Sequence, residues 1–200
     1  LDAARAQLAS VAPPVLVVAA TRAAADEFAL SIAHHTGATF GITRASVAEL
    51  VARLAVPALA RKGLTPSAPL SDEAVSARVT HDLMTNQALK YFAPVAGMPG
   101  FPRALSRTLG ELRMAAVDPA RIDGHEANED LSALLERAID ERQRAGAVDY
   151  PAMLGTATNE LRSNADLLGD KTVVLLDIAI GSEAEASFIK EVIATAGSVI

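Results

Sequence analysis

The feature that most constrains the fold is an unbroken run of six apolar residues, 15–20, followed directly by Thr21 and an alanine-rich segment. Such a run is typical of a strand buried on both faces of a parallel sheet, because a half-buried strand would alternate with polar residues. Thr21 is a good N-cap for a helix, and Asp26 and Glu27 lie early in that helix, where carboxylates are favoured. The stretch therefore predicts a strand, a tight turn and a helix. The turn would lie at the carboxyl end of the strand, where open α/β sheets bind ligands.

A second apolar run begins at Thr172 and ends in an acid, Asp177. The Ser182–Glu185 pattern after it is a capping box that opens another helix. Gly197 ends that helix, and residues 198–200 are typical of the start of a third strand. Because the chain stops inside this predicted strand, we expect it to be the front portion of a longer protein.

Between the two apolar runs, threonines alternate around Phe40 and Ile42 and predict a short strand over residues 39–43. From Leu64 onward the pattern predicts consecutive helices and no strand for about 100 residues, far longer than usual connections. Asp149 is interpreted as the N-cap of the last of these helices, with Pro151 in its first turn. Helices are predicted over residues 2–12, 21–35, 101–117, 129–144 and 151–163, with further helix starts at Ser46, Ser71 and Ser182. Gly37 is expected to end the helix over residues 21–35, and Ser46 and Glu49 form a capping box at the start of the next helix.

The order of elements is therefore α/β, then helical, then α/β again. We predict the first part of an α/β core over residues 1–63, a helical insertion over residues 64–168, and a return to the core over residues 169–200. Half of the residues are hydrophobic, which is ample for a core, and the lack of Trp means that Leu, Val, Ile and Ala must fill it.

Composition also limits the classes of function. The chain has no cysteine, which excludes disulfides and thiolate metal sites and fits a cytoplasmic protein. No signal-peptide pattern and no apolar run long enough to cross a bilayer is present, so no membrane partner is expected. The net charge of −6 argues against a strong, unspecific nucleic-acid binder, although a local basic groove can exist on an acidic body.

An ATPase would need a glycine-rich loop with Lys-Ser/Thr at the start of a helix, and the sequence contains none. Lys171-Thr172 lacks the upstream glycine spacing and enters a strand. The acidic pair that such a site needs at a strand end is present only as Asp177, with Ile178 where a Glu would orient water. An Asp that ends a buried strand is equally common as a turn-former, so both readings of Asp177 stay open.

The strand that ends in Thr21 and runs into Arg22-Ala-Ala-Ala resembles motif Ia of superfamily 1 helicases of the UvrD/Rep and RecB kind. The strand around Thr43 that leads into a helix is similar to their motif Ib, which helps to hold the DNA backbone. More narrowly, the chain resembles the N-terminal region of AddB-type helicase–nuclease proteins. The resemblance implies a P-loop-NTPase-like parallel sheet (helicase 1A-like) with a large all-helical insertion (1B-like), and a PD-(D/E)XK nuclease downstream.

The resemblance also implies which residues act. Thr21, Arg22, Thr43 and Arg44 would contact nucleic acid, and Asp177 would be a degenerate Walker B residue. It implies no catalytic residue and no metal ligand in this chain, and ATP with Mg²⁺ only if a P-loop precedes Leu1. The implied partners are DNA, as a single strand or duplex end, and a helicase–nuclease partner subunit.

The function expected from the sequence is an N-terminal helicase-like domain of a bacterial DNA repair and recombination helicase–nuclease, which is a hydrolase as a whole. This domain would not itself turn over ATP and would act in DNA binding or subunit positioning. Two alternatives stay open. One is a functional ATP-dependent helicase core whose P-loop lies outside this sequence, and the other is an interaction scaffold without catalysis.

Overall fold

A computed structural model of the chain describes residues 14–36 and 40–200. The helix predicted over residues 2–12 and the helix end predicted at Gly37 lie outside the described residues. The fold is α/β with a parallel sheet, which confirms the predicted fold class at that level.

The strands are β1 Val15–Ala19, β2 Ile42–Ser46, β3 Thr65–Pro66, β4 Ala147–Val148, β5 Thr172–Leu176 and β6 Ser198–Val199. The helices are α1 Arg22–Thr36, α2 Val47–Arg61, α3 Pro69–Thr85, α4 Ala93–Ala96, α5 Phe101–Met114, α6 Glu126–Arg144, α7 Tyr150–Ser163, α8 Asp166–Gly169 and α9 Glu183–Thr195, with a 3₁₀ turn at Pro119–Arg121.

Four strands form the main sheet in the order β2-β1-β5-β6, and each neighbouring pair is parallel. In β1, Val15 pairs with Ile42 on one side and with Thr172 on the other. The two apolar runs of the sequence are thus adjacent strands, although more than 150 residues separate them along the chain.

All five residues of β1 are buried, as the unbroken apolar run predicted. One face of the sheet contributes Val15, Val17 and Val174 to a cluster that α1 covers with Phe28 and Ile32. The helical pattern after Thr21 therefore provides the apolar surface that one face of the sheet requires.

The chain forms two compact units. The sheet unit comprises the described residues up to Ala58, together with Leu154–Gly181 and Glu185–Ile200, and it holds the four-stranded sheet. The helical unit comprises Leu59–Met153 with Ser182–Ala184.

The core of the helical unit is a cluster of buried residues from α3, α5 and α6, with Leu89 and Ala96 between them: Val79, Leu89, Ala96, Leu105, Leu109, Leu134, Leu135 and Ala138.

The connection between α3 and α4 is anchored by Asp130 of α6, which is only 2% exposed. Its carboxylate accepts hydrogen bonds from the backbone N–H groups of Lys90 (3.0 Å) and Phe92 (2.9 Å). A buried carboxylate thus satisfies backbone donors that no helix or strand satisfies.

Asp149 caps α7, as predicted, because its carboxylate accepts a hydrogen bond from the backbone N–H of Ala152 at 3.1 Å. The same carboxylate receives two hydrogen bonds from the Arg113 guanidinium, at 2.5 and 2.9 Å, and lies 3.6 Å from Nε of Arg142. Asp149 is therefore held by the packing of the helical unit, which supports a structural role for it.

Several predicted boundaries were wrong. The second strand, predicted over residues 39–43, runs over Ile42–Ser46, the segment that pairs residue by residue with β1. Residue 39 lies outside the described residues. The helical block is not free of strands, since Thr65–Pro66 pairs in parallel with Ala147–Val148, and two-residue strands leave no periodic pattern in a sequence. The third helix begins at Pro69, ahead of Ser71, with no side-chain cap.

Gly197 is required by a close backbone approach, and its replacement should destabilise the sheet unit. A Cβ atom at this position would lie 2.5 Å from the carbonyl oxygen of Gly169 and 3.2 Å from that of Lys171. We expect Gly197→Ala to lower the free energy of unfolding by about 1–3 kcal/mol, the usual cost of overpacking. Gly155→Ala is the matched control, because nothing lies within 4 Å of its Cβ position in α7. The free energy of unfolding of that variant, measured in urea, should increase by about 0.5–1 kcal/mol. Equal effects of the two substitutions on the free energy of unfolding would contradict the close approach.

The anchoring role of Asp130 predicts a specific stability loss. Asp130→Ala would leave the N–H groups of Lys90 and Phe92 without their acceptor. Because both hydrogen bonds are part-buried, each loss should lie near the lower end of the about 1–3 kcal/mol that a buried unsatisfied group costs. We expect a loss of about 2 kcal/mol or more in urea unfolding followed by circular dichroism. Asp130→Asn, which keeps one acceptor oxygen, should lower the free energy of unfolding less than Asp130→Ala does. An Asp130→Ala variant as stable as the wild type would refute the anchoring role of Asp130.

Candidate functional site

The carboxyl edge of the sheet brings together two of the positions that the sequence marked, Thr21 and Asp177. Ala19 of β1 pairs with Ser46 of β2 and with Leu176 of β5, so these three parallel strands end level with one another. Thr21 and Asp177 follow β1 and β5 within two residues of those ends. Polar groups that leave adjacent strands at one edge form the usual ligand-binding position of an open α/β sheet.

Thr21 acts as the N-cap of α1. Its Oγ1 accepts a hydrogen bond from the backbone N–H of Ala24 at 3.2 Å. The exposed first turn of α1 therefore begins with a capped end, and Arg22 is its first helical residue. The position combines a helix N-terminus, which favours anions, with a guanidinium.

Ser46 and Glu49 form the capping box that the sequence predicted at the start of α2. The Ser46 backbone N–H donates to Oε2 of Glu49 at 2.8 Å, and the Glu49 backbone N–H donates to Oγ of Ser46 at 3.2 Å. The hydrogen bond from the Ser46 N–H is the main cause that lowers the pKa of the Glu49 carboxyl below its ordinary value, and Arg22 adds to it. Glu49 therefore holds its negative charge firmly beside the edge of the sheet.

The two arginines predicted to contact DNA form ion pairs with two carboxylates, so that positive and negative groups alternate along the cluster. Nε of Arg22 lies 3.1 Å from Oδ1 of Asp26, and its Nη1 lies 3.5 Å from Oε1 of Glu49. Nη1 of Arg44 lies 3.4 Å from the same Oδ1 of Asp26. All four side chains are about 40% exposed, so the pairs are solvated and the guanidinium groups stay accessible.

Asp26 and Glu49 are the members of this cluster that the sequence did not mark as site residues. The spacing of Arg22 and Asp26 is a signal for a helical i,i+4 pair, which was available in the sequence. The contacts Arg44–Asp26 and Arg22–Glu49 join different elements, and only the pairing of β1 with β2 brings them together.

Thr43 lies apart from this cluster. It is exposed within β2 and pairs in register with Leu16, whereas Arg44 pairs with Val17. Neighbouring residues of a strand point to opposite faces of the sheet, so Thr43 and Arg44 lie on opposite faces. The structure thus brings together Arg22 and Arg44, and it places Thr43 on the other face.

Asp177 is exposed and has a left-handed backbone conformation, with a φ of 48°. Asp tolerates this conformation better than most residues, which fits a turn directly after β5. The next residue, Ile178, is half-buried and offers no oxygen ligand. Within residues 14–36 and 40–200, no group of three or more His, Asp or Glu side chains could hold a metal ion. At this strand end a single carboxylate, Asp177, is followed by Ile178, which offers no second acid.

Comparison with known proteins adds no assignment: no protein-family model matches the chain, and a search of curated proteins gives no significant match. None of the helices that the structure describes is both long and apolar enough to cross a membrane.

The capping box predicts a pH dependence of stability. Because the folded-state pKa of Glu49 lies below its unfolded value, its contribution is complete above the unfolded pKa of about 4.3 and is lost as the pH falls through the folded pKa. We expect Glu49→Gln to lose less stability than the wild type between about pH 6 and pH 3, measured by urea unfolding at each pH. Carbon-detected NMR titration of Glu49 provides the direct check, and a carboxyl that titrates at or above about 4.3 would contradict it.

Proposed function

We propose that this chain is the helicase-like region of a cytoplasmic bacterial DNA repair and recombination helicase–nuclease, and that it binds single-stranded DNA at the carboxyl edge of its sheet without hydrolysing ATP. The observation that carries the proposal is the parallel pairing of β1 with β5. It joins the Thr21 turn and Asp177 at one edge, while a compact helical unit is formed mainly by the sequence between them. That layout is expected of a helicase 1A-like core with a 1B-like insertion.

The ligand would be the phosphate backbone of the strand. Arg22 and Arg44 present two guanidinium groups near the N-terminus of α1, and guanidinium groups suit the geometry of phosphate oxygens. Asp26 and Glu49 occupy the same guanidinium groups in the free protein, so a phosphate has to compete with two carboxylates. Together with a net charge of −6, this competition favours a moderate affinity that falls modestly as the salt concentration rises.

The lack of ATP turnover rests on Asp177 and Ile178. The carboxylate that would orient the attacking water is replaced by a branched alkyl group, which accepts no proton. Hydrolysis of ATP by the protein of the full reading frame, in the presence of Mg²⁺ and DNA, would support a functional ATPase core instead. The helicase and nuclease activities of the parent protein, and any partner subunit, belong to this proposal and have to be tested on the full reading frame.

Fluorescence anisotropy with a labelled single-stranded oligonucleotide tests the binding. If two phosphates are neutralised, the logarithm of the association constant should fall against the logarithm of salt concentration with a slope of about −1.4. Arg22→Gln should reduce that slope by about 0.7, and it should weaken binding up to about fivefold at low salt.

Lys171→Gln is the matched control. Lys171 is also paired with a carboxylate, Asp170, at 2.7 Å, but it precedes β5 and thus lies at the opposite edge of the sheet. This variant should leave the affinity and the slope unchanged. Binding that is absent in the wild type or insensitive to salt would refute the proposal, and equal losses in the two variants would show that binding is not confined to the carboxyl edge.

A further inference from the structure

The helical unit exposes a group of large apolar side chains around the short helix α4. They are Met84 at the end of α3, Tyr91 before α4, Val95 within it and Met98 after it, with Tyr91 52% and Met98 58% exposed. Cε of Met84 lies 3.6 Å from the position that a Cβ of Gly97 would take, so the end of α3 contacts the segment after α4. Single exposed apolar residues are ordinary, but a patch of them is typical of an interaction site. We call these four side chains the α4 surface.

Tyr91 is held in place by contacts of its backbone neighbours and of its ring. The backbone N–H groups of the residues on either side of it, Lys90 and Phe92, both donate to the buried carboxylate of Asp130. Its ring contacts the ring of Phe92 edge to face, with 5.1 Å between ring centres, and the imidazole of His125 at 5.7 Å. A side chain that is ordered before binding loses little conformational entropy when a partner covers it. Tyr91 therefore has the properties of an anchor residue, a role in which tyrosine is enriched at interfaces.

The charge beside Tyr91 is negative. Nζ of Lys90 donates a hydrogen bond to Oε2 of Glu129 at 3.1 Å. This hydrogen bond is the main cause that raises the pKa of the Lys90 ammonium above its ordinary value, and the charges of Glu126 and Asp130 raise it further. Two exposed carboxylates and one buried carboxylate thus lie around a single ammonium group. Such a field attracts a cationic group and repels the phosphates of a nucleic acid.

We infer that the α4 surface binds a basic amphipathic segment of a partner protein, with an arginine or lysine of that segment over the ring of Tyr91. An aromatic face attracts a guanidinium or ammonium group, and the carboxylates of Glu126 and Glu129 complement its charge. The apolar side of the segment covers Val95 and Met98, because methionine adapts its shape to varied apolar partners. The inference does not rest on the proposed function, since all of these residues belong to the helical unit and the proposed DNA contacts belong to the sheet unit.

The test uses the full chain and a fluorescently labelled synthetic peptide of about 18 residues, with leucines at helical spacing and arginines elsewhere. In anisotropy titrations the wild type should bind this peptide, and it should not bind a peptide in which glutamate replaces every arginine. Tyr91→Ala should weaken binding between about twofold and about 30-fold, the range for a cation over an aromatic ring. Tyr91→Phe should keep most of the affinity, because it keeps the aromatic face.

Two further variants and their matched controls separate the charge from the ring. Glu129→Gln should reduce the salt dependence of peptide binding, because it removes one carboxylate beside Tyr91. Glu73→Gln makes the same change of charge on α3, about 18 Å along the helix from its last residue, and should leave peptide binding unchanged. Phe40→Ala is the control for the ring, because Phe40 is 94% exposed in the sheet unit but borders a small cavity with Arg44, which repels a cation. It should also leave peptide binding unchanged.

Circular dichroism should show that every variant is folded. Peptide binding that Tyr91→Ala leaves intact, or equal binding of the arginine and glutamate peptides, would overturn the inference. Sedimentation of the wild type as a dimer that Tyr91→Ala converts to a monomer would also overturn it, and would assign the α4 surface to a second copy of the chain. None of these results affects the proposed DNA binding, because the oligonucleotide titrations test residues of the sheet unit.

Discussion

The parallel pairing of β1 with β5 is the interaction on which the rest of the sheet unit depends. Every residue of β1 is buried, so its backbone N–H and C=O groups have no water to bond and must be satisfied by strands on both sides. Ile42 at one side and Thr172 at the other begin the strands that meet this requirement. Because one partner is close in sequence and the other is more than 150 residues away, the pairing fixes where the chain leaves the sheet and where it returns.

The same pairing creates the chemistry of the carboxyl edge. Three strands end level with each other, and each is followed by a polar group that caps a helix or closes a turn. Arg22, Asp26, Arg44 and Glu49 come together only because α1 and α2 start from neighbouring strands. The edge is electrostatically balanced in the free protein, so an anionic ligand must replace carboxylate contacts that are solvated and individually weak. Reversible, salt-sensitive binding is the behaviour that such a balance favours.

Much of the fold follows from local patterns. The buried strand at Val15, the capping box at Ser46 and Glu49, and the N-cap at Asp149 all occur as predicted, because each depends on residues within a few positions of one another. The errors have a common cause. The limits of β2 and the pairing of Thr65–Pro66 with Ala147–Val148 are set by the strands that pair with them, and a short or half-exposed strand carries too little periodicity to reveal them.

The candidate site also has some features that the local sequence determined and others that only the tertiary structure determined. The sequence by itself determined that two apolar runs end beside Thr21 and Asp177, that a capped helix follows the first, and that an apolar residue, Ile178, follows Asp177. Only the tertiary structure decided that Arg44 faces Asp26 while Thr43 faces away. The physical reason is that capping and burial act over a few residues along the chain. The orientation of a side chain in an outer strand is instead set by the register of that strand with its neighbour, and the register exists only in the folded sheet.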